Sequence, residues 1–368
     1  MSRQRQALLA ALLCTAAGLA WQWLTVHYNY GGNLTALFCH GSKYPTPASL
    51  AGEHIYVFPN SGGYDGQSYH YVAHDPLCRT DICRAVPDPS RRYPRILVPG
   101  LAYLLALGRT EWVDRAFVAT NLIFLFLGAW WLAQLCTRPM LAVLYLLVPA
   151  SIISLDRMLI DLALVSLCLG FAVCLRQERW WKLWLTFAAA ALCREAGFLL
   201  FAAYAVRLVR DRRWSRILLF ATALIPAVIW NLRTAAGGFG SPIPLAGVID
   251  AVLHPRPYAF PPMAVIALRS LDWMLLAGLL LAMAFGLAAA REVTKDPLAA
   301  LCFLWACFAI AIPAGTYDDP FGGARILSPL LLFQFLSGER WRWLPMAMVV
   351  PRVLVELGPQ AIGILRGV

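Results

Sequence analysis

RQERWWKLWLTFAAAALCREAGFLLFAAYAVRLVRDRRWSR, residues 176–216, decides how this chain meets its solvent. Two apolar runs, 182–193 and 196–209, are bounded by basic clusters at their outer ends and divided by Arg194 and Glu195. Short Lys/Arg clusters between apolar runs mark loops retained in the cytoplasm. Both ends of the stretch therefore belong on one side of a membrane, and the chain must cross and return between them. Arg194 and Glu195 then fall at the outer turn, where charge near the bilayer is costly and needs a reason.

The same pattern extends in both directions. Hydrophobic residues make up 60% of the chain and charged residues 14%, against about 25% charged in a soluble domain, so lipid is the main solvent. The formal net charge is +11, and its basic residues sit in short clusters, RQERWWK, RLVRDRRWSR, REVTK and GERWRW. These sit between apolar runs as the positive-inside rule requires, which excludes nucleic acid as the partner. Spans are expected at 7–26, 113–135, 139–153, 158–175, 182–193, 196–209, 214–232, 270–290, 297–313, 326–337 and 343–358. The expected fold is an all-α polytopic membrane protein of about 11 transmembrane helices, between about 10 and 12, from runs of roughly spanning length.

Three regions follow: a first span at 1–26, an external loop at 27–112, and a multi-span domain at 113–368. MSRQRQ with the apolar run after it reads as an uncleaved span with its N-terminus in the cytoplasm. The loop is expected to carry short interfacial helices, one of them the amphipathic or re-entrant stretch RILVPGLAYLLALG, residues 95–108. Cys39, Cys78 and Cys83 share this loop, and one disulfide among them is permitted, with the pairing open. Cys14, Cys136, Cys168, Cys174, Cys193, Cys302 and Cys307 lie in or beside apolar runs and read as small hydrophobes.

Polar groups converging on the external side are the candidates for chemistry: Asp65, Asp75, Arg91, Arg92, Tyr93, Arg95, Asp156, Asp161, Arg194, Glu195, Asp318, Asp319 and Arg325. The densest segment is SGGYDGQSYHYVAHDP, residues 61–76. Its glycines allow a tight turn that presents Asp65 beside Tyr64, Gln67 and Tyr69, a combination suited to a sugar. The same residues also fit an ordinary turn in which Asp65 caps the following helix. His70 and His74 are four apart and share a helix face, a spacing that can hold a metal. No second pair with strong spacing accompanies them, so His27, His40, His54, His70 and His74 are read as interfacial and no metal ligand is assigned. Arg194 and Arg325 fit phosphate recognition. They equally fit local ion pairs, Arg194 with Glu195 and Arg325 with Asp318 or Asp319.

YDGQSY (64–69), RRYPRILVP (91–99), VPASIISLDRMLIDLA (148–163), CREAG (193–197) and GGARILSP (322–329) together resemble the glycosyltransferase-C superfamily. Within it, they are most similar to bacterial membrane proteins related to the GPI mannosyltransferase II family. The resemblance implies a multi-span fold, a polyprenyl-phosphate-linked sugar as donor, and an acidic residue of the first external loop at the catalytic centre. Asp65 matches that residue, Asp161 a later acidic position and Arg194 the basic position after it. The loop has no adjacent acidic pair, so a divalent cation is allowed but not required.

The expected activity is inverting transfer of a sugar to the hydroxyl of a glycan or lipid acceptor, with Asp65 as general base. Tyr64, Gln67, Tyr69, Arg92, Arg95, Asp161, Arg194, Glu195 and Arg325 are expected to bind substrate. The implied setting is a bacterial inner membrane with the loop in the periplasm and membrane lipid as surroundings. The competing expectation is a transporter or flippase of a lipid-linked substrate, whose mark would be paired broken helices. The sequence displays no such pairing.

Overall fold

Helix α1 (Arg3–Tyr30) starts where the Ser2 hydroxyl accepts the Arg5 N–H and stops where Gly31, at φ 59°, turns its own N–H back onto the Val26 carbonyl. Only glycine takes that left-handed conformation without cost. The computed structural model describes residues 2–234, 244–313, 315–317 and 319–367. Asp318, one of the candidate ion-pair partners, lies outside the described residues.

After α1 comes a loop holding helices α2 (Asp65–His74) and α3 (Leu97–Leu105), then α4 (Thr110–Leu135). The Arg3 guanidinium donates to the Cys136 carbonyl at 2.7 Å, so the start of α1 meets the end of α4. The two helices are antiparallel and the loop hangs from their other ends. Ala7, Ala11, Cys14 and Gly18 are buried along one stripe of α1. At Gly18 a Cβ would come within 2.6 Å of the Leu125 side chain. Small residues let the backbones approach in this way when no hydrophobic effect drives helix association. Leu8, Leu12, Leu19 and Trp23 stand exposed on α1, which suits a lipid-facing surface and not water.

The remaining helices are α5 (Pro149–Arg157), α6 (Asp161–Arg176), α7 (Trp180–Cys193), α8 (Phe198–Arg210), α9 (Trp214–Thr234), α10 (Pro262–Ala288), α11 (Pro297–Ile310), α12 (Pro320–Ile326), α13 (Ser328–Leu336), α14 (Leu344–Glu356) and α15 (Gly358–Gly367). Helix α6 is buried from Asp161 to Cys174, as a helix apolar on every side must be. Only two two-residue strands pair among the described residues, in parallel, with His40 opposite Val57 and Gly41 opposite Phe58. The fold is all-α and that of an integral membrane protein.

Four helices are long and apolar enough to cross a membrane, or six if two bent pairs each count once. The expected spans at 158–175, 182–193, 196–209, 297–313 and 326–337 correspond to α6, α7, α8, α11 and α13, which have 16, 14, 13, 14 and 9 residues. These fall short of the roughly 20 residues that cross a hydrocarbon core unaided. The expected single spans at 139–153 and 343–358 each fall on a bent pair of helices. A 3-10 helix at Pro139–Leu147 bends by 55° into α5, and α14 bends by 48° into α15. Pro149, at the first break, has no N–H to continue the hydrogen-bond ladder. The paired breaks absent from the sequence reading are therefore present.

The two ends of the bundle differ chemically. The Gln177 amide bonds Gln134 at 2.9 Å, Arg216 lies 4.6 Å over the Trp180 ring, and Arg210 donates to the Thr294 carbonyl at 3.2 Å. The basic clusters around residues 176–182, 207–216 and 291–295 thus meet at the end where Arg3 lies. The acidic residues of the site gather at the opposite end, beneath the loop.

Candidate active site

The tight hairpin between α7 and α8 puts Arg194 and Glu195 at the loop end of the bundle. Arg194 is fully extended, and at Gly197 a Cβ would collide with the Ala190 carbonyl, so only glycine lets the chain fold back there. Gly66 does the same for α2. A Cβ on Gly66 would strike the Arg157 carbonyl and come within 2.9 Å of the Phe38 carbonyl. This is the physical reason for a glycine after Asp65: the first turn of α2 lies directly on the end of α5. Gly66→Ala should push α2 away at a cost of about 1–3 kcal/mol, read as a lowered thermal midpoint in detergent.

Asp65 is the first residue of α2 and caps nothing. Its carboxylate is gripped from both sides, by Arg92 at 2.6 Å and by Arg325. Arg325 reaches on to Asp161 at 3.3 Å, and Asp161 also pairs with Arg194. Arg194 approaches Glu195 at 3.5 Å, and Glu195 holds Arg95 through two bonds of 2.7 and 3.0 Å. Arg95 in turn donates to the Tyr69 hydroxyl at 3.1 Å. One continuous chain of charge therefore links the loop, α2, α6, the α7–α8 turn and α12.

Four guanidiniums, from Arg92, Arg95, Arg194 and Arg325, face three carboxylates, from Asp65, Asp161 and Glu195. The site carries a net positive charge. Arg92 and Arg325 each retain a buried Nε–H with no acceptor, a deficit that proteins rarely leave without a function. Burial alone would push the Asp65 carboxyl up, but Arg325 and Arg92 together outweigh it and hold it well below the usual carboxylate range.

Local pairings expected from the sequence give way to these distant ones. Arg325 does not pair with Asp319. Asp319 accepts the Tyr64 hydroxyl at 2.5 Å and the Phe321 N–H at 3.1 Å, so it is already occupied as the cap of α12. Arg194 has Asp161 as its main partner, with Glu195 secondary. Tyr64 lies beneath Arg325, whose guanidinium is 5.3 Å from the ring centre.

Gln67 and Tyr69 are almost fully buried. Gln67 accepts the Gly41 N–H at 3.0 Å and ties the small parallel pair of strands to α2. Asp75 is also structural: it accepts the N–H groups of Arg79 and Thr80 at 2.9 and 2.7 Å. That turn leads into the Cys78–Cys83 disulfide, while Cys39 stays free and buried.

Comparisons with protein-family models, with curated proteins and with solved structures return no match. The geometry of the site thus has to carry the functional argument.

Beside the ionic chain lies a cleft of about 630 Å³, with Arg79, Tyr93, Trp230 and Arg233 among its walls. This is within the range of small-molecule sites. Tyr93 stands between Arg92 and Arg95 in the chain, and its carbonyl accepts the Trp230 indole N–H at 2.8 Å, so the cleft adjoins the segment that carries both arginines.

The histidines differ most from expectation. His40 and His70 are buried, as is the side chain of His74. His70 Nε2 lies 2.6 Å from the Asp114 carboxylate and 3.1 Å from His74 Nε2, and His70 Nδ1 lies 2.9 Å from His40 Nε2. Asp114, on α4, was not a candidate from the sequence. Neither was the second charged cluster, in which buried Arg352 of α14 bonds Asp272, Glu356 and the Tyr258 hydroxyl at 2.7, 2.7 and 2.8 Å. Arg352 and Glu356 are one helical turn apart on α14, but no spacing in the sequence ties them to Asp272 or Tyr258.

Proposed function

We propose that the protein is a membrane glycosyltransferase that moves a sugar from a polyprenyl-phosphate donor to a hydroxyl of a glycan or lipid acceptor, with inversion. The observation that supports this best is the pair of unpartnered, buried Nε–H groups on Arg92 and Arg325, the two guanidiniums that restrain Asp65. Guanidinium forks match phosphate oxygens. The donor phosphate offers these groups acceptors and competes with Asp65 for them, so donor binding would loosen the carboxylate that has to act as base.

In the step itself, the acceptor oxygen forms a bond to the anomeric carbon and its proton passes to Asp65. The bond from that carbon to the phosphate oxygen breaks on the opposite face, and its electron pair leaves with polyprenyl phosphate. Arginines already in place meet the charge developing on the leaving group without having to reorganise. Tyr64 and Glu195 line the same chain of contacts, and the neighbouring cleft has room for a monosaccharide. The leaving group therefore needs no divalent cation for its charge.

The same reading takes the loop end as periplasmic and the basic end as cytoplasmic, in a bacterial inner membrane, with N-terminus inside. It counts about 11 crossings, the short helices being accommodated by local thinning of the bilayer. Arg92→Gln removes one charge-assisted bond, about 1.5–3 kcal/mol, and should raise the donor KM by roughly 10-fold or more with a smaller change in kcat. Initial rates with labelled polyprenyl-phosphate sugar measure this. Unchanged KM would remove Arg92 from the phosphate site.

The bent pairs 139–157 and 344–367 favour a second reading, movement of a lipid-linked substrate across the membrane, because broken helices often form transport sites. Reconstituted vesicles separate the two. Transport moves an intact labelled lipid-linked sugar between leaflets, whereas the transferase releases polyprenyl phosphate.

A further inference from the structure

A second polar cluster sits on the other half of α2, away from the ionic chain. His70 and His74, one helical turn apart, converge with Asp114 of α4 and with Glu53 from the loop segment before the second strand, and one donor atom from each lies within 4.8 Å of all the others. His70 Nε2 to Asp114 Oδ1 is 2.6 Å, His70 Nε2 to His74 Nε2 is 3.1 Å, and His74 Nε2 to Asp114 Oδ1 is 3.6 Å. Four ligands around a tetrahedral zinc, each about 2.0–2.1 Å from it, stand about 3.3 Å apart. The observed spacings straddle that value.

Hydrogen bonds alone leave this cluster unsatisfied. Both Glu53 carboxylate oxygens and His74 Nδ1 are buried without a hydrogen bond, their nearest approach being 3.5 Å between His74 Nδ1 and Glu53 Oε1, although the His74 side chain is only 1% exposed. Two imidazole Nε2 atoms facing each other at 3.1 Å can share at most one proton between them. Asp114 can accept from one of them, while Glu53 has only His74 Nδ1, at 3.5 Å and so beyond ordinary hydrogen-bond length. A single cation would satisfy both ring nitrogens and both carboxylates.

We propose that Glu53, His70, His74 and Asp114 bind one structural transition-metal ion of the zinc class. Two imidazoles with two carboxylates favour zinc over magnesium or calcium, which prefer all-oxygen sets. Four protein ligands close the site, as structural zinc sites are closed. His40 is a positioning residue. Its Nε2 accepts from His70 Nδ1–H at 2.9 Å, which leaves the His70 Nε2 lone pair for the metal. The ion clamps the loop and α2 onto α4. Since α2 begins at Asp65, the clamp also sets where that carboxylate stands relative to Arg92 and Arg325. The ion takes no part in the transfer step and its presence does not depend on that assignment.

The test is metal analysis of the full-length protein purified in detergent without chelator. About one zinc per chain is expected, in keeping with a single structural site. Chelation should lower the thermal midpoint, and zinc, but not magnesium or calcium, should restore it. His74→Ala should abolish the zinc, and the milder His40→Ala should weaken it by roughly 10- to 100-fold. If the His74 variant does not fold, cobalt(II) added to metal-stripped wild type decides alone, because four-coordinate cobalt gives intense visible absorption and six-coordinate cobalt does not. Wild type that carries no zinc and shows no such absorption with cobalt would overturn the proposal, as would zinc retained at wild-type level in His74→Ala.

Discussion

Membranes carrying Asp65→Asn at wild-type abundance should transfer labelled sugar from polyprenyl-phosphate donor about 100- to 10,000-fold more slowly, the range contributed by a positioned general base. The substitution is isosteric and keeps an acceptor oxygen toward Arg92 or Arg325, so α2 stays in place while the base is lost. In the free protein the Asp65 carboxyl is held well below the usual carboxylate range against the opposing effect of burial. On the proposed mechanism, donor binding has to precede proton transfer, because the phosphate is what would draw the guanidiniums away. If the variant transfers as well as wild type, Asp65 is an anchor only. The base is then sought first at Glu195, whose side chain is 38% exposed, before Asp161, which is 2% exposed.

Arg325→Leu should be the most damaging single change to stability, by about 3–5 kcal/mol. It strips a partner from Asp65 and from Asp161 together, and the Arg325 side chain is only 9% exposed, so water cannot replace it. Arg325→Lys should rescue little, since one ammonium cannot span two carboxylates as a planar fork does. Adding Asp161→Asn to Arg325→Leu should recover part of the loss by removing one unpaired charge. Thermal midpoints of the four proteins in one detergent measure this. A double variant no more stable than Arg325→Leu alone would show that the two sites are not coupled.

Much of this site was legible before folding, for a reason rooted in the solvent. In a chain dominated by apolar residues every charge away from a basic loop is costly, so Asp65, Asp161, Arg194, Glu195 and Arg325 stood out one by one. All of them, with Arg92, Arg95 and Tyr69, belong to a single connected network. Which charge meets which was not legible. The short-range pairing of Arg325 with Asp319 failed because a helix N-terminus and Tyr64 already occupy Asp319, while Asp65, 260 residues away in sequence, takes its place. The burial of Gln67 and Tyr69 was not legible either, because the pattern along one helix cannot say which face the loop will cover.

The sequence by itself determined the solvent, the helical class, the segregation of basic clusters and the list of costly charges, since each follows from composition and from spacing along one chain. Tertiary structure alone decided the helix breaks at 148 and 357 and the partners in the ionic chain. It also decided the meeting of Glu53, His70, His74 and Asp114. Those contacts join residues from separate elements, and no periodicity along the chain encodes where two elements touch.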